Sequence, residues 1–294
     1  MPFARSGDPG FNVEDNAAAP PNPGELLDMK RTLLFCLWAV GCALFIAGCA
    51  SSPSGEPSKA EGDKIDHLDR ATKLMLHYPS VKYVKDNSVY FVDGASLPFD
   101  DQQVKDLKEK LENADIEDHF TQVYPAFAPI VAPALDSDPG RFRNDAFLKK
   151  LYGAGKQDIE SNLVEITWMP VNSGKKLLFN KNENAAAQLL KVSAELDQLP
   201  KEHMKYIVNI DSTYDYRPIE GTNRLSPHSY GIAIDLEVKY TCYWLWDKEY
   251  NYRNEIPREV VEIFEKHGFV WGGRWYHYDT MHFEYRPEMF ERVL

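Results

Sequence analysis

The side chains best suited to chemistry sit in two short segments, Ser226-Pro227-His228-Ser229-Tyr230-Gly231-Ile232-Ala233-Ile234-Asp235-Leu236 and Asp279-Thr280-Met281-His282-Phe283-Glu284-Tyr285. In a strand, successive side chains face opposite sides. Ile232, Ile234 and Leu236 are therefore expected to enter a core, while Gly231 and Ala233 leave an open floor beside Asp235. His228, just ahead of the strand, can turn back over that floor. The second segment repeats the pattern, with Met281, Phe283 and Tyr285 inward and Thr280, His282 and Glu284 toward the cleft. Two imidazoles and one carboxylate, His228, His282 and Asp235, make an open three-ligand zinc site, one ion per chain, with the fourth position left for water. Zinc lowers the pKa of that water to about 7. A carboxylate nearby must then take a proton and return it to the leaving group, and Asp279, at the mouth of the second strand, is the expected base.

Neighbouring residues carry two readings each. Glu284 either orients a ligand from behind or is a solvated strand residue. His277 either contacts substrate or is a hydrogen-bonding loop residue. Ser226 caps its turn or approaches the site. His67, His77, His119, His203 and His267 have no partner spacing and are expected to be structural or exposed. Cys242 reads as a small packing residue rather than a nucleophile.

The elements that must position these residues read as a small α+β domain with a mainly antiparallel sheet flanked by helices. Strands are expected at 89–92, 163–168, 175–179, 206–210, 232–238, 269–271 and 281–285. Helices are expected at 103–111, at 184–199, where Leu189, Val192, Leu196 and Leu199 share a face, and at 257–267, with Pro257 in the first turn and Gly268 as cap. The passage 124–139 holds four prolines and cannot be one helix.

Spacing alone is moderately specific, but the joint pattern Ser-x-His-x-x-Gly-x-Ala-x-Asp at 226–235 and Asp-x-x-His-Phe-Glu at 279–284 resembles the zinc D-alanyl-D-alanine carboxypeptidase and L-alanyl-D-glutamate endopeptidase family, the VanX- and VanY-like group that includes phage endolysins. The resemblance covers about residues 166–287. It implies ligands His228, Asp235 and His282, base Asp279, and the compact fold shared with hedgehog signalling domains. It also implies hydrolysis of an amide bond in peptidoglycan stem peptides by attack of zinc-bound water, as a carboxypeptidase or an endopeptidase. Members place an arginine upstream that neutralises the oxyanion or the substrate carboxylate. Arg217 in Tyr214-Asp215-Tyr216-Arg217 fits best and Arg224 competes. The rival reading is a non-catalytic zinc-binding envelope lipoprotein that binds cell wall or a protein partner. A complete ligand set beside a free base argues against it.

The amino terminus points to the envelope independently. Lys30 and Arg31 precede an apolar run, Thr32 to Ile46, and Ile46-Ala47-Gly48-Cys49 resembles a bacterial lipobox. That resemblance implies cleavage before Cys49 and acylation of its thiol, so the chain meets a membrane through a lipid anchor. The run is short for a spanning helix, which leaves an uncleaved anchor as the lesser reading. Ser51, where a retention aspartate would stand, implies an outer-membrane destination facing the periplasm. The expected organisation is a leader at 1–28, either disordered or upstream of a true start at Met29, a lipoprotein signal peptide at 29–48 and a flexible tether at 49–64. An accessory region dispensable for chemistry follows at 65–160, then the zinc peptidase domain at 161–294. Cys36 and Cys42 leave with the signal and Cys49 is acylated, so Cys242 has no disulfide partner. A net charge of −12 excludes a sequence-independent grip on nucleic acid.

Overall fold

A two-residue turn at Asp86 and Asn87, both with positive φ, folds Val81–Lys85 (β1) back on Ser88–Phe91 (β2). Short polar side chains tolerate that conformation, and such turns match the twist of a hairpin. Ser96–Pro98 (β3) adds a third antiparallel strand. This computed structural model describes residues 70–294 apart from 220, 247, 292 and 294, all within one compact unit. The leader, signal, Cys49 and tether readings lie outside the described residues.

Helical residues 70–77 (α1) precede the hairpin. Leu107–Asn113 (α2) starts later than the charged helix expected from residue 103, because Asp106 and Glu109 form a reciprocal capping box that fixes its first turn. Asp145–Tyr152 (α3) is capped by Asn144, whose side chain accepts from the Phe147 amide at 2.7 Å, and it buries Phe147, Leu148, Leu151 and Tyr152. Lys156–Ser161 (α4) leads into a second hairpin, Leu163–Trp168 (β4) with Lys175–Asn180 (β5). Ala185–Leu196 (α5) buries Leu189, Val192 and Leu196, as its spacing predicts. It stops at Asp197, whose carboxylate accepts the Val171 and Asn172 amides of the β4–β5 turn.

The expected strand at 206–210 is instead a turn of helix, Met204–Ile207 (α6), followed by Ile210–Ser212 (β6). The buried residues there, Ile207 and Ile210, are three apart, which is helical spacing; so short an apolar run does not separate the two periods.

The central sheet has the order β6-β7-β9-β8, with β7 at Ala233–Leu236, β9 at His282–Tyr285 and β8 at Phe269–Trp271, and every pairing is antiparallel. Its core face carries Ile234, Leu236, Phe283 and Tyr285. Arg258–Lys266 (α7) lies against it, with the Phe264 ring stacked on Phe283 at 3.9 Å between centroids. Fully burying rings and branched chains of this size stabilises by about 1.5–3 kcal/mol each. The fold is α+β.

The core runs without a break through residue 160. Leu74, Tyr78, Phe91, Phe147 and Tyr152 share one apolar cluster with Ile234, Phe264 and Phe283. A buried ionic network ties the same regions together. Glu288 takes Arg286 Nε at 2.7 Å, bonds the Tyr78 hydroxyl and lies 3.3 Å from His119 Nδ1, while Arg286 donates to the carbonyls of Gly140 and Phe142. Asn144 N donates to His119 Nε2 at 2.8 Å, so Nδ1 carries the proton that faces Glu288. Burial alone would raise the Glu288 carboxyl, but Arg286 and His119 hold it down at about 2.

Candidate metal centre

Strand register brings two of the three candidate ligands together. Asp235 in β7 is paired directly opposite His282 in β9. His228 sits in a 3-10 turn, Pro227–Tyr230, started by Ser226, whose hydroxyl accepts the His228 amide at 3.4 Å. Ser226 is therefore a turn cap, within the reading the sequence left open. The turn ends at Gly231, with φ +66°, and a Cβ there would come within 2.6 Å of Leu163. Only glycine fits that approach, and it swings His228 back over the sheet.

His228 Nε2 lies 3.2 Å from His282 Nδ1 and 3.1 Å from Asp235 Oδ2, and His282 Nδ1 lies 3.0 Å from Asp235 Oδ1. All three residues are buried. Ligands about 2.0–2.1 Å from a tetrahedral zinc stand roughly 3.3 Å apart, which is close to the spacing of the two histidine nitrogens and of each nitrogen from its nearer Asp235 oxygen. The far nitrogens are also committed. His228 Nδ1 donates to the Thr213 carbonyl at 2.7 Å, which leaves Nε2 as a lone pair facing the cluster. His282 Nε2 lies 3.1 Å from Glu284 Oε2, which leaves Nδ1 for a metal.

The buried carboxylates concentrate negative charge around the His282 ring. Burial alone would pull the His282 imidazole down, yet Asp235 and Glu284 lift it to about 10. Burial likewise opposes ionisation of Asp235, but His228 and His282 hold its carboxyl well below the usual range. Asp279 shifts the other way. Burial, then the charge of Asp235, raises its carboxyl to about 6. Asp279 Oδ1 is sealed from solvent and has no hydrogen-bond partner among the described residues. A sealed, unpartnered carboxyl oxygen beside a cluster of metal-type donors is what a zinc centre with an adjacent proton acceptor requires. The residues present fit zinc.

Glu284 is no solvated residue. It is fully buried, bonded by Arg143 through Nε at 2.9 Å and through Nη2, and lies 3.2 Å from Arg286 Nη1. Burial would raise its carboxyl, but Arg143 and His282 hold it far below the normal range. His277 is engaged by Asp138, at 2.6 Å from Oδ2, and packs edge-on against Trp244.

The arginines divide. Arg217 is about half exposed, and its Nε donates to Asp215 at 2.9 Å. Its carbonyl accepts from the Ser226 amide and the Ser229 hydroxyl, so its backbone braces the His228 turn. Arg224 is partly buried near Arg143 and Arg141, and its Nε is sealed with no hydrogen-bond partner among the described residues. Arg141 and Arg143 place their guanidinium carbons 5.7 and 5.8 Å from the Trp275 ring centroid, itself 5.7 Å from that of His282. Sequence reasoning missed both. The alternation in Arg141-Phe142-Arg143, with Phe142 buried, puts the two cations on one side and is the signal that could have found them.

Asp235 and His282 on adjacent strands and His228 on a 3-10 turn, backed by oriented partners and with the Asp279 carboxyl nearby, have the residue types that a hydrolytic metal centre uses. Residues 220–285 match the protein-family model described as D-alanyl-D-alanine carboxypeptidase, and that segment contains all three donors and Asp279. The match supports a peptidase. No curated protein and no solved structure matches the chain.

Proposed function

We propose that the protein is a zinc peptidase that hydrolyses an amide bond in peptidoglycan stem peptides, with His228, Asp235 and His282 holding the ion. The observation that carries this reading is the preformed donor triangle with Asp279 Oδ1 unpartnered beside it. When bound, zinc supplies Lewis acidity toward a peptide carbonyl and makes water acidic enough to attack near neutral pH. Asp279 takes the water proton on Oδ1 and returns it to the leaving amine. Glu284 and the Thr213 carbonyl keep the imidazoles in the tautomers that leave Nδ1 of His282 and Nε2 of His228 free.

A substrate carboxylate or developing oxyanion needs a fixed cation. Arg217, the sequence choice, is drawn toward Asp215 at the surface, whereas Arg224 has an unpartnered buried Nε and stands among other arginines. Arg224, whose buried Nε has no hydrogen-bond partner among the described residues, is the preferred partner for that anion. Whether the scissile bond is terminal or internal depends on how the cleft closes around this anion.

The test is hydrolysis of purified muropeptides, followed by mass, with zinc counted on the same samples. One zinc per chain and a defined cleavage product are expected, with activity lost on chelation and restored by zinc. Zinc bound without turnover would favour the binding-module reading.

The lipobox residues support a lipid anchor at Cys49 in the cell envelope, facing the periplasm from the outer membrane. No helix among the described residues is long and apolar enough to cross a membrane. Cys49→Ala is expected to move the protein out of the membrane fraction or leave it unprocessed. Unchanged fractionation would rule out the anchor.

A further inference from the structure

The segment between β7 and α7 is rich in aromatic residues and turns several of them outward beside the metal centre. Tyr243 forms an isolated antiparallel bridge with Asp279, and the Trp244 amide donates to the Tyr278 carbonyl at 2.9 Å, so the ring strip begins at the proposed base. Ring then follows ring. Tyr243 meets Trp246 at 5.9 Å, Trp244 meets His277 at 4.7 Å, His277 meets Tyr276 at 5.1 Å, and Tyr276 lies flat on Tyr250 at 4.5 Å and 7°.

Backing holds the strip in place. The Tyr276 amide donates to the Ser137 carbonyl at 2.7 Å, and Asp138 grips His277. Yet Trp246 is 56 % exposed and Tyr250 44 %, although neither belongs to the apolar core. Large rings gathered at the surface next to a reactive centre mark a ligand surface.

The chemistry of the strip selects the ligand. Flat π faces accept the axial C–H bonds of a pyranose, while phenol and indole rims reach its hydroxyls. An extended peptide would instead need a free backbone edge, and where this segment meets the metal centre, at Cys242 to Trp244, it pairs its own with Tyr278 to Thr280. We propose that the strip binds a sugar ring of the glycan strand, so that the metal centre acts on stem peptides still attached to glycan. This rests on the peptidoglycan reading above, in which sugar and scissile peptide are covalent neighbours, and on the continuity of the strip with Asp279.

Two measurements on the full chain test it. Glycan strands stripped of their stem peptides are titrated into wild type, Trp246→Ala, Tyr250→Ala and the conservative Trp246→Phe. Wild type is expected to bind, the alanine variants about tenfold more weakly, and Trp246→Phe in between. In kinetics, the kcat/KM ratio of a glycan-linked muropeptide to the same free stem peptide should exceed one in wild type. In the alanine variants it should fall toward one, through KM rather than kcat. Failure of wild type to bind bare glycan, or an equal loss on both substrates, overturns the sugar site. Tighter binding to an amine-bearing free peptide than to glycan also overturns it, by making the strip a cation surface. Glycan binding without hydrolysis of any peptide would leave the sugar site standing and sink the peptidase reading instead.

Discussion

Asp279→Asn is expected to keep its zinc and lose about 10²- to 10⁴-fold in turnover, the usual weight of general acid and base catalysis. His282→Ala, only three residues away, should lose metal and activity together, because it removes one of three protein ligands. The contrast follows from what each side chain touches. His282 Nδ1 stands 3.0 Å from Asp235 and 3.2 Å from His228, inside the donor triangle. Asp279 stands outside it, with Oδ1 unpartnered and a carboxyl raised to about 6 by burial and by Asp235. An amide of the same size fills that space and cannot accept a proton. Elemental analysis and rate on the same samples separate the outcomes. Zinc lost from Asp279→Asn would make this residue a ligand and reopen the assignment of Asp235 or His228. Zinc and full activity both retained would move the base elsewhere. Glu284 and His277 are poorly placed to inherit that role, since Arg143 and Arg286 hold the first and Asp138 the second.

That Asp235 and His282 would stand on one face was legible in the sequence because it depends on local periodicity, whereas His228 is brought to them by a turn. The alternation within Ala233–Leu236 and His282–Tyr285 decides which side chains share a face, and register then sets Asp235 against His282. The stripe on α5 was legible for the same reason. Residues acting from a distance were not. Thr213 contributes only a carbonyl to His228, and no side-chain pattern announces a carbonyl. Arg143 reaches Glu284 across 141 positions, a separation that spacing arguments do not span. Glu284 could be read two ways until that partner was known, because the strand pattern gives its face and not what covers it. The arginine choice turned on a similar gap. Tyr214-Asp215-Tyr216-Arg217 contains its own local carboxylate, and Asp215 takes the Arg217 guanidinium at the surface.

A chain shortened to begin at residue 161 is expected not to fold, contrary to the dispensable role that the motif-free stretch 65–160 suggests. The shortened chain would lose Leu74, Tyr78, Phe91, Phe147 and Tyr152 from the shared cluster, exposing the apolar residues they cover. It would also strip the buried charges of partners. Glu284 would lose Arg143, Glu288 would lose His119 and Tyr78, and Arg286 would lose two carbonyl acceptors. Removing one partner of a buried pair costs about 3–5 kcal/mol. Two such losses, added to the exposed core, approach or exceed the roughly 5–15 kcal/mol that holds a domain folded. The chemistry would go with the fold, since Arg143 braces the carboxylate that orients His282. Circular dichroism, cooperative melting and zinc binding of chains 161–294 and 65–294, compared side by side, decide the matter. A 161–294 chain that melts cooperatively and binds one zinc would show that residues 65–160 only cover a domain complete without them. A 65–294 chain that folds where 161–294 does not would show that residues before 161 complete the core on which the candidate metal centre stands.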